Sequence, residues 1–280
     1  MSNIYLNLNG SIGYTLVVKD DIKLLILADN HSLLDYCKTD GIFVSDWLKN
    51  KPNSKILLEE VPRVGHNLEE LWPSSPHTQK LKDSYIKNSH IIQGVDIRPF
   101  LIPFSWELAS DKENLNLKEY LKSIDLFFSL KLDFIKDDLK YIYSENFLKK
   151  KKIGKHFLIL KSILMLFVKK NKINLDKNIK DLMKDNKLML EQINDLLSDI
   201  MEWYIIAKIY QGINEKKTSF IIHAGLAHTT KIIILLKNYY NYKVINDFGI
   251  TNMSNIDLDL HNNACLYLPI NIDKQFGGNN

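Results

Sequence analysis

The sequence predicts an α/β fold: a mainly parallel sheet with flanking helices and a large helical insertion. Three observations carry this. Short apolar runs recur in both flanks of the chain, several of them are followed by helix-like segments, and the middle of the chain almost lacks helix breakers. At 280 residues with a hydrophobic share of 45%, the chain is long enough to bury a large core.

Taken in order, Ile4–Leu8 and Gly13–Val18 predict a hairpin on the sheet edge. Lys23–Ala28 reads as a short buried strand, and Leu33–Leu48 as the helix after it. Lys55–Leu58 and His90–Val95 are the second and third strands. Six of the prolines lie between Pro52 and Pro103, and the seventh is Pro269. Within 112–211 the only glycine is Gly154, and Leu117, Leu121, Ile124 and Phe128 keep a helical period. Residues 112–212 therefore predict an insertion of about three or four helices, a cap or a long crossover. Phe220–Ile222 is the fourth strand, Thr229–Tyr240 a helix, and Lys243–Ile245 and Cys265–Leu268 later strands. The core is expected in two parts, 1–111 and 213–280, with 112–212 between them.

The net charge of +4 is almost all lysine, and the only arginines are Arg63 and Arg98. Scattered lysines of this kind do not make a nucleic-acid footprint, and none is expected. The run Lys149–Lys152 reads as a solvated face. Two cysteines, Cys37 and Cys265, do not make a disulfide framework, so reduced thiols and an intracellular setting are expected. The N-terminal residues lack a signal-peptide pattern. The longest apolar run, Phe157–Val168, is broken by Lys161 and too short to span a bilayer, so a soluble protein is expected. The lysine, asparagine and isoleucine bias resembles that of proteins from large DNA viruses of eukaryotes, which implies host cytoplasm or virion as its location.

In open parallel sheets, ligands bind beyond the carboxyl ends of the strands. Here those ends are polar. The first strand ends in Ala28-Asp29-Asn30-His31, and the second in Glu59-Glu60 followed by Val-Pro-Arg63. The third runs Gly94-Val95-Asp96-Ile97-Arg98, and the fourth His223-Ala-Gly-Leu-Ala-His228. Buried strand ends seldom need so many ionisable groups, so these residues are candidates for one site. A histidine near neutrality, paired with a carboxylate, activates water or holds a divalent metal such as manganese or zinc. His31, Glu60, Arg98 and His223 are the catalytic candidates. Asp29, Asp96, Arg63 and His228 are the substrate-binding ones. His31, Glu60, His223 and His228 form the ligand set if a metal is used. Strand alternation allows only one of Glu59 and Glu60 into the crevice, and Glu60 is the expected one. Arg98 holds a carboxylate or stabilises charge in the transition state. Each residue also has a plain structural role open to it: Asp29 as a helix cap, Arg98 as a partner of Asp96, a histidine as a turn residue.

Ala28-Asp29-Asn30-His31 resembles the Gly-Glu-x-His signature after the first strand of erythromycin esterase-like and ChaN-type haem-binding proteins. Asp29 stands for the glutamate and Ala28 for the glycine. Glu60 is similar to the acidic residue ending their next strand, and Gly94-Val-Asp96 to their Gly-x-Asp. His223 and His228 resemble the late histidine pair, at a wider spacing, and the related Tiki/TraB proteins use comparable elements. The resemblance covers about residues 20–100 and 215–235. It implies hydrolysis of an ester or peptide bond, metal-free in the esterases and on a divalent metal in the Tiki proteins, and haem binding in the ChaN type. The expected function is a hydrolase acting on a small molecule or peptide. The alternatives are a haem or small-ligand binding protein and a catalytically inactive viral structural protein. Oligomeric state is not legible.

Overall fold

The computed structural model describes residues 4–30, 36–38, 40–62, 79–81, 83–84, 91–96, 116–119, 122, 162, 165–166, 168–178, 181, 187–255 and 264–277, with 60–62, 187–200 and 255 described as backbone only. The chain divides into two compact units, Met1–Asp96 with Lys208–Asn280, and Ile97–Ala207.

The first unit is α/β. In chain order its strands are β1 (Tyr5–Asn9), β2 (Gly13–Lys19), β3 (Ile22–Asp29), β4 (Ile42–Phe43), β5 (Lys55–Pro62), β6 (Ile92–Asp96), β7 (Ser219–Gly225), β8 (Lys243–Gly249) and β9 (Cys265–Pro269). The helices are α1 (Val44–Lys49), α2 (Lys187–Asn214, which crosses the division between the units), α3 (Leu226–Tyr240) and α4 (Ile270–Asp273). A six-stranded sheet has the order β6-β5-β7-β3-β2-β8. β6, β5, β7 and β3 are mutually parallel, and β2 runs against both β3 and β8. The expected mainly parallel sheet is therefore present.

The runs Leu24–Ala28, Ile56–Leu58 and Phe220–Ile222 are apolar without alternation because their strands are buried on both faces. On one face, Leu25, Leu27, Ile56, Leu58 and Ile221 join Tyr14, Trp47, Leu48, Leu266 and Phe276 in a single core. On the other, Ala28 packs with Ile12, Leu226 and Ile250 beneath the start of α3. Gly212, near the end of α2, lies against the Phe220 ring; a Cβ there would meet it at 2.5 Å. α3 ends on Asn241 in the left-handed region, φ 59, with its amide bonded to the Leu236 carbonyl. β2 and β3 form a two-residue hairpin across Asp20-Asp21, with Asp20 at φ 53.

Three sequence expectations are corrected. Ile4–Leu8 and Gly13–Val18 do not pair with each other. β1 belongs to a second, three-stranded sheet of order β4-β1-β9, and β2 pairs with β3 and β8. The chain leaves β1 through Gly10, at φ 97, and that turn carries it to the other sheet. Among the described residues of the helix expected over Leu33–Leu48, only those from Val44 on are helical, in Val44–Lys49. Asp40 at φ 47 and the β4 pairing of Ile42 and Phe43 occupy the preceding residues. The cysteines are not free thiols: Cys37 and Cys265 are joined in a disulfide across 228 residues. Two cysteines suffice for a bridge when the fold brings their β-carbons together, and the count alone does not reveal that.

The insertion expected over 112–212 falls largely outside the described residues. Those described include the long helix α2 and an isolated antiparallel bridge, Asn116 to Asn178. Among the described residues no helix is long and apolar enough to cross a membrane.

Candidate functional site

Strand order locates the crevice. After β5 the chain moves outward to β6, and after β7 it moves the other way, past β3 and β2 to β8. The connections leave β5 and β7 in opposite directions, which makes the β5–β7 boundary the topological switch point where open parallel sheets bind ligands.

Glu59 and His228 meet at that boundary. Leu58 is paired in register with His223, so both face the core that also holds Leu27. Glu59, the next residue of β5, turns to the opposite face, toward the start of α3. There one carboxylate oxygen, Oε2, accepts the Gly225 amide at 2.6 Å. The other, Oε1, lies 3.1 Å from His228 Nε2. Gly225 is the N-cap position of α3, and His228 lies in the first turn. A carboxylate there compensates the positive end of the helix and satisfies an amide that no intrahelical acceptor reaches. Glu59 is 1% exposed and His228 9% exposed.

His223 does something else. Its ring is fully buried on the opposite face, and Nε2 lies 2.8 Å from the Gly10 carbonyl. A carbonyl only accepts, so Nε2 carries the proton. His223 thereby ties the centre of the six-stranded sheet to the turn after β1. The two histidines that look like a pair in sequence thus serve opposite faces of the sheet.

Asp29 ends β3 beside Gly225, is buried, and accepts the Asn30 amide at 2.7 Å through Oδ1. Asp96 ends β6, opposite Pro62, and is buried too. His31, Arg63 and Arg98 lie outside the described residues, and Glu60 is described by its backbone alone. Among the described residues no three histidine, cysteine, aspartate or glutamate side chains gather as a metal would require. The donors at the switch point are Glu59 and His228, and they are spent on each other and on Gly225. That described set does not fit a metal.

Sequence reasoning singled out His228 and weighed Glu59 against Glu60. It had no signal for the Gly10 carbonyl, because a backbone acceptor leaves no mark in residue type. No protein-family model, curated protein or solved structure matches this chain.

Proposed function

We propose that the chain is a hydrolase that activates water with a histidine–glutamate pair at the carboxyl ends of its parallel strands. The observation that carries this reading is the buried Glu59–His228 contact at the β5–β7 switch point. In this reading His228 donates its Nε2 proton to Glu59, which fixes the tautomer and orients the ring. A proton taken from water enters at Nδ1 and passes on to the leaving group. Glu59 stabilises the imidazolium that forms meanwhile. Arg98 supplies positive charge to the substrate oxygen. Glu60 lies in β5 next to Glu59, and His31, two residues after the end of β3 in sequence, serves as a second base with Glu60 as its partner. Asp29, Asp96 and Arg63 are the substrate-binding groups. The substrate class is a small ester or a peptide.

The fact that both Glu59 oxygens accept bonds from the chain itself favours a second reading: a structural clamp that holds α3 on the sheet. A screen of ester and peptide substrates, with and without manganese or zinc, decides between them when run beside melting curves. The hydrolase reading expects activity in the parent. It also expects a loss in kcat/KM of about 10²–10⁴ in His228→Ala. A parent inactive under every condition, together with a large fall in Tm for His228→Ala, leaves the clamp.

A further inference from the structure

We propose that the Cys37–Cys265 disulfide is a reducible latch that sets the conformation of the Gly10 turn and of His223. The proposal stands apart from the hydrolase reading. Both cysteines are half-buried rather than enclosed in the core. Cys265 opens β9 and pairs in register with Asn9, the last residue of β1. Cys37 donates its amide to Asn9 Oδ1 at 2.7 Å, and Asn9 Nδ2 donates to the Gly41 carbonyl at 3.1 Å. The next residue, Gly10, donates its amide to Ala264 O at 3.0 Å, one residue before Cys265. The Gly10 carbonyl in turn accepts from His223 Nε2. A continuous run of contacts therefore links the sulfur bridge to a histidine at the centre of the six-stranded sheet, two residues before the Gly225 amide that Glu59 holds.

The rest of the unit does not depend on the bridge. β9 keeps its antiparallel ladder with β1 from Tyr5–Pro269 to Asn9–Cys265. The segment after it is pinned separately, where Asp273 Oδ1 accepts from Trp47 Nε1 and from Lys51 Nζ, both at 2.6 Å. Among the described residues, the Cys37 side is held by the two Asn9 bonds, the edge contact of Tyr36 with Phe43 at 5.2 Å and the two-residue pairing of β4. Opening the bridge therefore frees the Cys37 side and relaxes the Asn9–Gly10 turn, while the sheet stays formed. The chemistry is exchange with a dithiol. The reductant's two thiols lose two electrons and two protons and close to a disulfide. The Cys37–Cys265 S–S bond breaks, and both cysteines end as thiols.

The test is amide exchange and the His223 ring resonance in the full chain, oxidised and reduced by dithiothreitol, with the double variant C37S/C265S alongside. Reduction is expected to speed exchange at the Cys37 and Gly10 amides by at least about tenfold and to shift the His223 ring signals. The Leu25 and Ile222 amides keep their protection, and the thermal transition stays cooperative. Three results overturn the proposal: exchange that rises everywhere at once, Gly10 and His223 signals that do not move, or two alkylatable thiols in the air-oxidised chain. Should the double variant fail to fold, the reduced parent gives the same reading.

Discussion

Glu59 shows how much one position in a strand decides. A glutamine there keeps an acceptor for the Gly225 amide but loses the negative charge that faces the His228 ring and the start of α3. Glu59→Gln is therefore expected to cost about 1.5–3 kcal/mol in urea unfolding, because a buried charge-assisted partner is lost. If Glu60 is the catalytic member, Glu60→Gln changes activity and leaves stability nearly alone, and the two variants measured together tell the glutamates apart. His223→Leu strands the buried Gly10 carbonyl and is expected to cost about 1–3 kcal/mol. Tyr14 adds a pH dependence. Its hydroxyl donates to Asn246 Oδ1 at 2.5 Å. Burial first, then Tyr5 and Asp247, push it up to about 12 from the ordinary 10.0. The fold thus prefers the neutral phenol. That contribution is fully present below pH 10 and is lost as pH rises toward 12. Tyr242, also raised by burial, then by Tyr210 and Asp20, has the same sign. Unfolding midpoints of the parent and Tyr14→Phe should differ most near pH 8 and converge toward pH 12.

At the scale of elements, the close approach of α2 to the sheet rests on Gly212. Alanine in a helix interior gains about 1 kcal/mol over glycine. Here its Cβ would meet the Phe220 ring at 2.5 Å and Lys55 Cδ at 2.9 Å. Lys55 can swing aside, but Phe220 is fully buried. The clash wins, and Gly212→Ala is expected to lower stability by about 1–2 kcal/mol, read from the urea midpoint. β8 is the opposite case. All seven of its residues are exposed, among them Val244, Ile245 and Phe248, so this edge is left to its charges and its irregularity for protection against further pairing. The register with β2 shifts between Leu16 and Val17, where β8 carries an extra residue, Ile245. Such a bulge twists an edge strand away from further pairing.

Across the whole molecule, the bridge and the Asp273 contacts close the two ends of the chain onto each other. Lys51 is almost fully buried beside Asp273 and lies 4.8 Å from the Trp47 ring centroid. Removing one member leaves a buried charge unpaired, so Asp273→Asn is expected to cost about 3 kcal/mol or more. A double-mutant cycle with Lys51→Met checks it, since losing both charges should cost less than losing one.

Some of this was legible in residue order alone. Unbroken apolar runs such as Leu24–Ala28 and Phe220–Ile222 announce strands buried on both faces, and the polar residues at their ends mark the carboxyl edge. The period of Thr229–Tyr240 likewise announces α3. These are local properties, carried by the spacing of neighbours along one segment. The tertiary structure decided what depends on partners far away in the chain. Strand pairing separated β1 from β2, because register and sheet membership depend on which edges meet. Alternation on β5, anchored by the Leu58–His223 register, turned Glu59 toward α3. The same alternation sent His223 to the face opposite His228, so two imidazoles five residues apart do different work. And 228 residues of intervening chain hide the meeting of Cys37 with Cys265, which only the packing of the second sheet brings about.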